Sequence, residues 1–187
     1  MVDGESPYFL QYNRNKRSVA LNIKSDEGRD ILMKLIKTSD VLIENFRPGT
    51  MKRLGLSYEE VRRANPRLVY CSVSGFGQSG PYSGLGGYDA ITQGMSGLMA
   101  VTGEEGGPPL RVGAPITDIL AALYSALAIS LAIIARERTG RGQWVDVSLF
   151  ESGVSAVAQW ITISSLTRRP IRRFGNRYPQ TNGRTAE

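Results

Sequence analysis

The sequence predicts an α/β fold in which a parallel sheet is flanked by helices. Short β-rich segments alternate with longer helical ones, which is the pattern of stacked βα units. The predicted helices carry charges that suit the helix macrodipole, and two long loops rich in glycine and proline, residues 74–87 and 102–115, follow predicted elements. The sequence contains no internal repeat.

In the first half of the chain, residues 18–23 (SVALNI) are expected to form a strand. A helix is predicted over residues 26–37, where acids come early and lysines late. The segment VLIE, Val41–Glu44, is predicted to be a short strand, followed by a polar helix over Tyr58–Ala64 and a strand over residues 68–73. In the second half we expect two helices, one strand and a last helix, over residues 88–100, 118–138, 144–149 and 150–165.

Asp118 is the last charged residue before the uncharged stretch 119–135 and follows the approach GGPPLRVGAPIT. Ser, Thr, Asp and Asn before an apolar run are ordinary helix caps, so the local sequence favours a capping role for Thr117-Asp118. A helix N-terminus would also keep a carboxylate ionised, as a nucleophile or an ion-pair partner requires. The local sequence leaves both roles open.

Composition narrows the possible chemistry. The 187 residues are 41% hydrophobic and 21% charged, enough for one sizeable core. The net charge of +6 favours anionic partners, but the basic residues are scattered, so we expect no nucleic acid, and a phosphorylated small molecule fits the charge equally well. A single cysteine, Cys71, excludes an internal disulfide and suggests a cytoplasmic location. The absence of histidine removes the commonest general base and the commonest metal ligand, and we expect no metal site.

No membrane association is expected. The N-terminal sequence MVDGESPYFL lacks a basic segment followed by an apolar core. The stretch 119–135 lies at the short limit for a membrane span and is rich in alanine and serine. We therefore predict a buried core helix there.

Several motifs are candidates for a binding or catalytic site. Asn45, Phe46 and Arg47 follow a predicted strand, where ligands gather in open α/β sheets, although a turn with exposed arginines is the simpler interpretation. The glycine loop 74–87 lacks the phosphate-loop and dinucleotide-binding spacings and is either a flexible connection or a source of backbone amides for a substrate acyl group. The acidic candidates are Glu44, Asp89, Asp118, Asp146 and Glu151, of which Asp118 is best placed.

Ordered motifs along residues 8–176 resemble the class III CoA-transferases, which include carnitine, bile-acid and formyl CoA-transferases and the related α-methylacyl-CoA racemases. The motifs are NRNKRSVALNIK, DVLIENFRPGTMKRLGL, SVSGFGQSGPY, GYDAITQGMSG, GAPITD and RTGRGQWVDVSL. The resemblance implies that residues 1–167 are an incomplete large domain with a Rossmann-like sheet, and that residues 168–187 are a basic tail or the start of a linker to a small domain. Family members are longer and form interlocked homodimers, so we expect a fragment whose full-length form is a homodimer.

The resemblance also implies the roles of individual residues. Asp118 would attack an acyl-CoA, and CoA would pass through a β-aspartyl thioester to a carboxylic acid acceptor. CoA and acyl-CoA would be substrates, with no permanently bound cofactor. The implied CoA contacts are Leu21, Asn22, Ile23, Lys24, Asn45, Phe46, Arg47, Arg53, Leu85, Gly86, Gly87 and Tyr88.

Two alternatives accompany this prediction. The racemases of the family use a histidine where this chain has Tyr88, and a tyrosine with an ordinary pKa of about 10 is a poor base near neutral pH. Tyr88 therefore favours CoA transfer over racemisation. The other alternative is an inactive CoA-binding or interaction fragment.

Overall fold

The computed structural model describes residues 4, 6–104 and 106–167, so the predicted basic tail lies outside the described residues. In chain order the helices and strands are α1 (Pro7–Tyr12), α2 (Asp26–Thr38), β1 (Val41–Glu44), α3 (Thr50–Arg53), α4 (Tyr58–Ala64), β2 (Val69–Ser74), α5 (Asp89–Met95), a 3-10 turn (Met99–Val101), α6 (Ile116–Thr139), β3 (Trp144–Ser148) and α7 (Leu149–Thr167).

The three strands form a parallel sheet in the order β1-β2-β3. Val41 of β1 is in register with Val69 of β2, and Cys71 of β2 with Val145 of β3. The predicted α/β class with a parallel sheet and flanking helices is confirmed. Because all strands run in the same direction, their carboxyl ends meet at one edge of the sheet, which is where ligands bind in such folds.

Each face of the sheet carries a hydrophobic core. On one face, Val69 and Cys71 pack with Ala121 and Ala132 of α6. Tyr70 points to the opposite face, as strand alternation requires, and packs with residues of α2 and α4 that include Ile36 and Val61. The sheet therefore lies between α6 and the pair α2 and α4.

Two sequence-based predictions of secondary structure were wrong in part. Residues 18–23 form no strand, because an extended segment becomes a strand only when a neighbouring strand completes its hydrogen bonds. The helix predicted over residues 88–100 ends at Met95 and is followed by a separate 3-10 turn. Gly97 between them adopts a left-handed φ of 86°, which breaks the helical backbone.

Helix α6 begins earlier than predicted, and this changes the position of Asp118. Its N-cap is Pro115, which makes no side-chain capping hydrogen bond, and Asp118 lies in the first turn. The prediction that Thr117-Asp118 caps the helix is therefore wrong. Proline at the cap leaves the first amides of α6 in need of an acceptor from elsewhere in the fold.

The expectation that α6 is a buried core helix is also only partly met. One side packs on the sheet, but Leu123, Leu127 and Leu131 are 62%, 57% and 57% exposed. Within the described ranges, α6 is the helix that is long and apolar enough to cross a membrane, and only 22% of its most apolar 18-residue segment is buried.

Candidate functional site

A cavity of about 620 Å³ opens at the carboxyl ends of β1 and β2. Three parts of the chain supply most of its lining, namely the loop after β1, both ends of the glycine loop 74–87 and one side of α6, and Leu149 of α7 also lines it. Asn45, Phe46 and Arg47 come from the first part, and Asp118 from the third. Loops at this edge and a helix N-terminus therefore share one cavity, as expected for a ligand site in an α/β sheet.

The loop after β1 is held by two hydrogen bonds. The buried Glu44 carboxylate accepts the Phe46 amide at 2.8 Å, and the Asn45 side-chain amide donates to the Val73 carbonyl at 2.7 Å. These bonds tie the loop to β1 and β2 and leave Arg47 exposed at the cavity. These two hydrogen bonds distinguish the loop from a simple turn with exposed arginines.

The glycine loop is anchored to the end of β2 and to the middle of β3. The Ser74 hydroxyl accepts the Gly77 amide at 3.0 Å, and the Asp146 carboxylate accepts the Gln78 amide at 2.9 Å. Burial raises the pKa of Asp146, and the bond from Gln78 partly offsets that increase. These contacts distinguish the loop from a flexible surface connection, which was one of the two predictions for it.

The two ends of the glycine loop touch through backbone alone. A Cβ on Gly75 would lie 2.5 Å from the Gly87 Cα, and a Cβ on Gly87 would lie 2.7 Å from the Gly75 Cα. Glycine is required at both positions because no side chain fits between the two backbones. Both residues line the cavity, so this contact shapes the cavity wall.

Asp118 faces the cavity from the first turn of α6, where the helix dipole favours a negative charge. Desolvation by surrounding atoms raises the pKa of its carboxyl above the ordinary value, and the charge of Asp89 raises it further. Among the lining residues, which all belong to the described part of the chain, Asp118 is the one acid. The site thus combines a partly desolvated carboxylate with an arginine and a glycine-lined wall.

Asp89 supplies the acceptor that α6 needs at its N-terminus. One carboxylate oxygen accepts the Thr117 amide at 2.9 Å and the Thr117 hydroxyl at 2.9 Å, and the other accepts the Gln93 side-chain amide at 2.7 Å. From the sequence, Asp89 was predicted only to be an acidic candidate. The available signal was Pro115, because a helix that starts after proline with no capping side chain must find its acceptor elsewhere.

The structure brings most of the predicted site residues together. The predicted residues that line the cavity are Asn45, Phe46, Arg47, Leu85, Gly86, Gly87, Tyr88 and Asp118. Leu21 to Lys24 precede α2 and are not in the lining, and the Arg53 guanidinium donates to the Thr50 hydroxyl at 2.8 Å. Their contacts with CoA remain predictions.

Sequence reasoning missed the wall that α6 contributes. This wall consists mainly of small side chains, and its members are Ala121, Ala122, Ser125, Ala126 and Ile129. Starting from Asp118, these residues follow one another at helical spacings of three and four, which places them on the same side of the helix and was the available signal.

The remaining acidic candidates have structural partners. Glu151, at the start of α7, accepts the Ser148 hydroxyl at 2.9 Å, while its own amide donates to that hydroxyl at 3.0 Å. Glu44, Asp89 and Asp146 accept backbone amides, as described above.

Comparisons with known proteins show which proteins this chain is similar to. The chain is 44% identical over 179 residues to an acetyl-CoA:oxalate CoA-transferase of Acetobacter aceti, covering 95% of this chain and 46% of the relative. It is 42% identical over 181 residues to a succinate–glutarate CoA-transferase of Agrobacterium fabrum, covering 95% and 45%. The chain therefore spans less than half the length of these relatives.

A crystal structure of a CAIB/BAIF family protein from Brucella suis has the same fold, with a TM-score of 0.83 and 40% identity. The match covers 88% of this chain and 43% of that protein. The sequence model of CoA-transferase family III matches residues 1–186. This chain therefore belongs to CoA-transferase family III.

Proposed function

We propose that the intact polypeptide containing this chain transfers CoA from an acyl-CoA to a carboxylic acid, with Asp118 as the nucleophile. The observation that carries the proposal is the position of Asp118, an acid at a helix N-terminus, in a cavity shared with Arg47 and the glycine loop. The names of the relatives, which describe transfer of CoA to oxalate or between succinate and glutarate, support the same reaction class.

The reaction proceeds by paired covalent exchanges. The Asp118 carboxylate attacks the thioester carbonyl, the C–S bond breaks, and CoA leaves as a thiolate while a mixed anhydride forms. The thiolate then attacks the Asp118 carbonyl carbon, which releases the donor acid and leaves an aspartyl-CoA thioester. The acceptor carboxylate attacks that thioester, and the released thiolate takes the acceptor acyl group and restores the Asp118 carboxylate. Covalent catalysis divides one difficult exchange into easier steps.

The environment of Asp118 suits both halves of this cycle. The helix dipole stabilises the ionised carboxylate, while its raised pKa makes it a stronger nucleophile than an ordinary aspartate. Gly75, Gly86 and Gly87 present a wall without side chains, so a thioester can lie close to the backbone.

Arg47 and Phe46 are the CoA contacts that the cavity supports best. The exposed Arg47 guanidinium can pair with the phosphates of CoA, and Phe46, which is 45% exposed, offers an apolar surface to the cofactor's carbon chain. Lys24 and Arg53 are proposed as further phosphate contacts on the basis of the family resemblance. CoA acts here as a substrate and not as a resident cofactor.

The test is Asp118→Ala in the intact polypeptide, with Asp30→Ala, an exposed acid of α2, as the matched control. We expect Asp118→Ala to lower kcat by roughly 10³-fold or more while CoA binding stays measurable by calorimetry. Hydroxylamine added during turnover of the native protein should convert Asp118 to a hydroxamate that mass spectrometry detects. Sustained CoA transfer without modification of Asp118 would disprove the nucleophile assignment. Exchange of the substrate α-proton with deuterated solvent in the absence of transfer would instead indicate a racemase.

A further inference from the structure

Gln93 of α5 is a fully buried side chain whose amide bonds to Asp89 of its own helix and to the segment 112–114. Its Nε2 donates to the Asp89 carboxylate at 2.7 Å and to the Ala114 carbonyl at 3.3 Å, with the Val112 carbonyl at 3.5 Å. Its Oε1 accepts the Val112 amide at 2.9 Å. Gln93 does not line the cavity, so these contacts describe a role other than ligand binding.

A primary amide meets the demands of this position. The Asp89 carboxylate needs a hydrogen-bond donor, whereas the Val112 amide needs an acceptor, and a glutamine side chain provides both from one planar group. A glutamate could satisfy Val112 but would place a second carboxylate against Asp89. An apolar residue would leave buried polar groups without partners, which is costly.

These bonds connect Gln93 to Asp118 by two routes. The first runs through Asp89, which holds the amide and hydroxyl of Thr117, the residue that precedes Asp118. The second runs through residues 112–114, which lead directly into α6. Thr92, the neighbour of Gln93, reinforces the first route with a hydroxyl contact to Thr117 at 2.8 Å.

The first turn of α6 therefore has no capping side chain of its own and depends on α5 for its position. We propose that Gln93 is a positioning residue that, through Asp89 and residues 112–114, sets the backbone that presents Asp118 to the cavity. This inference rests on the proposed function, because it concerns the placement of the nucleophile in that reaction.

Accurate placement matters because Asp118 changes partner at every step of the cycle, and a displacement of about 1 Å can cost about 10²-fold in rate. We therefore expect Gln93→Ala, made in the intact polypeptide, to lower kcat for CoA transfer about 100-fold. The KM for acyl-CoA should change by less than about threefold, since Gln93 is absent from the cavity lining and the binding contacts are retained.

Asn65 provides a matched control at the opposite edge of the sheet. Like that of Gln93, its side-chain amide donates to three acceptors, here the carbonyls of Ile36, Lys37 and Ser39, and accepts one amide, that of Arg67. Asn65→Ala removes a comparable set of bonds far from the cavity, and we expect it to lower the melting temperature without lowering kcat. A structural role for Gln93 would make the two variants behave alike once kcat is corrected for the folded fraction.

A second variant and a second measurement keep the test decisive if Gln93→Ala does not fold. Gln93→Glu preserves the side-chain shape and the acceptor for Val112 but loses the donor to Asp89, and we expect a similar loss of kcat. Hydrogen exchange followed by NMR should show faster exchange of the Thr117 amide in both variants than in Asn65→Ala, and faster exchange of the Val112 amide in Gln93→Ala, which alone loses its acceptor.

The proposal is overturned if both Gln93 variants retain kcat within about twofold of Asn65→Ala, or if they lose acyl-CoA affinity as strongly as kcat. Unchanged protection of the Thr117 amide would overturn it as well. A native protein that transfers no CoA would refute the proposed function instead, and the exchange measurement would still decide whether Gln93 holds the start of α6.

Discussion

The contact between Gly75 and Gly87 offers a sharp test of how the cavity wall is built. Replacing Gly75 by alanine adds a Cβ that would lie 2.5 Å from the Gly87 Cα, 2.8 Å from its nitrogen and 3.0 Å from its oxygen. All three atoms are backbone, so no side chain can rotate to make room. The two ends of the glycine loop must separate for the substituted chain to fold.

The size of this effect follows from the distances. Ordinary van der Waals contact begins near 3.4 Å, so the two backbones must move apart by about 1 Å. Overpacking of this kind costs about 1–3 kcal/mol, and we expect Gly75→Ala to lower the free energy of unfolding by that amount. Because both glycines line the cavity, we also expect kcat/KM for CoA transfer to fall about 100-fold.

The assay is urea unfolding followed by circular dichroism, together with transfer kinetics, on the intact polypeptide. Gly84→Ala is the matched control, because Gly84 lies in the same loop, has open space around its Cβ position and has no left-handed φ. This control should change the free energy of unfolding by less than about 0.5 kcal/mol. If Gly75→Ala were as stable and as active as Gly84→Ala, the close backbone contact would be wrong.

Three further predictions concern ionisable groups. The pKa of Asp118 is raised in the folded state, so its contribution to the free energy of unfolding is present below the unfolded pKa and is lost as pH rises through the folded pKa. Asp118→Asn should therefore increase the free energy of unfolding at neutral pH and change it little near about pH 3. Urea titration at the two pH values measures both effects. The rate of CoA transfer should fall as acid protonates Asp118. Asp89→Asn removes a charge that raises the pKa of Asp118, so it should move this decline to lower pH in a profile of kcat/KM against pH. A decline at the same pH in both proteins would contradict the effect of the Asp89 charge on Asp118. Ser57→Ala should lower the free energy of unfolding by about 1 kcal/mol at neutral pH because it removes the cap of α4. The bonds from Ser57 lower the pKa of Glu60, so the stability that Glu60 contributes is present above its unfolded pKa. The difference in the free energy of unfolding between Ser57→Ala and the native protein should therefore shrink as pH falls through the folded pKa.

Local sequence patterns predicted the elements that carry their own signals. The strand Val41–Glu44 and the helix Tyr58–Ala64 have the predicted bounds, and the capping box of Ser57 and Glu60 explains why the start of that helix is readable from sequence. Residues 18–23 show the limit of this approach. Their β-rich pattern is real, but a strand needs a partner at the right distance, and a pattern within one segment carries no information about its partner.

In the candidate site, too, the residues within recognisable motifs were predicted, whereas contacts between distant segments were not. Ordered motifs were sufficient to select Asp118 and the residues from Asn45 to Arg47, and the structure places them in one cavity. The support for Asp118 was not predictable, because Asp89 and Gln93 act through hydrogen bonds to segments distant in sequence. Caps supplied by a neighbouring side chain are local and visible in sequence, whereas caps supplied by another helix are not.

The sequence by itself determined the fold class, the family resemblance and the residue types available for chemistry, because periodicity, motif order and the absence of histidine are properties of the chain alone. The tertiary structure alone decided that α6 starts ahead of Asp118, that Asp89 supplies its cap, and that Gly75 meets Gly87 backbone to backbone. These features depend on distances between segments far apart in the chain, which are set only when the sheet and helices pack together.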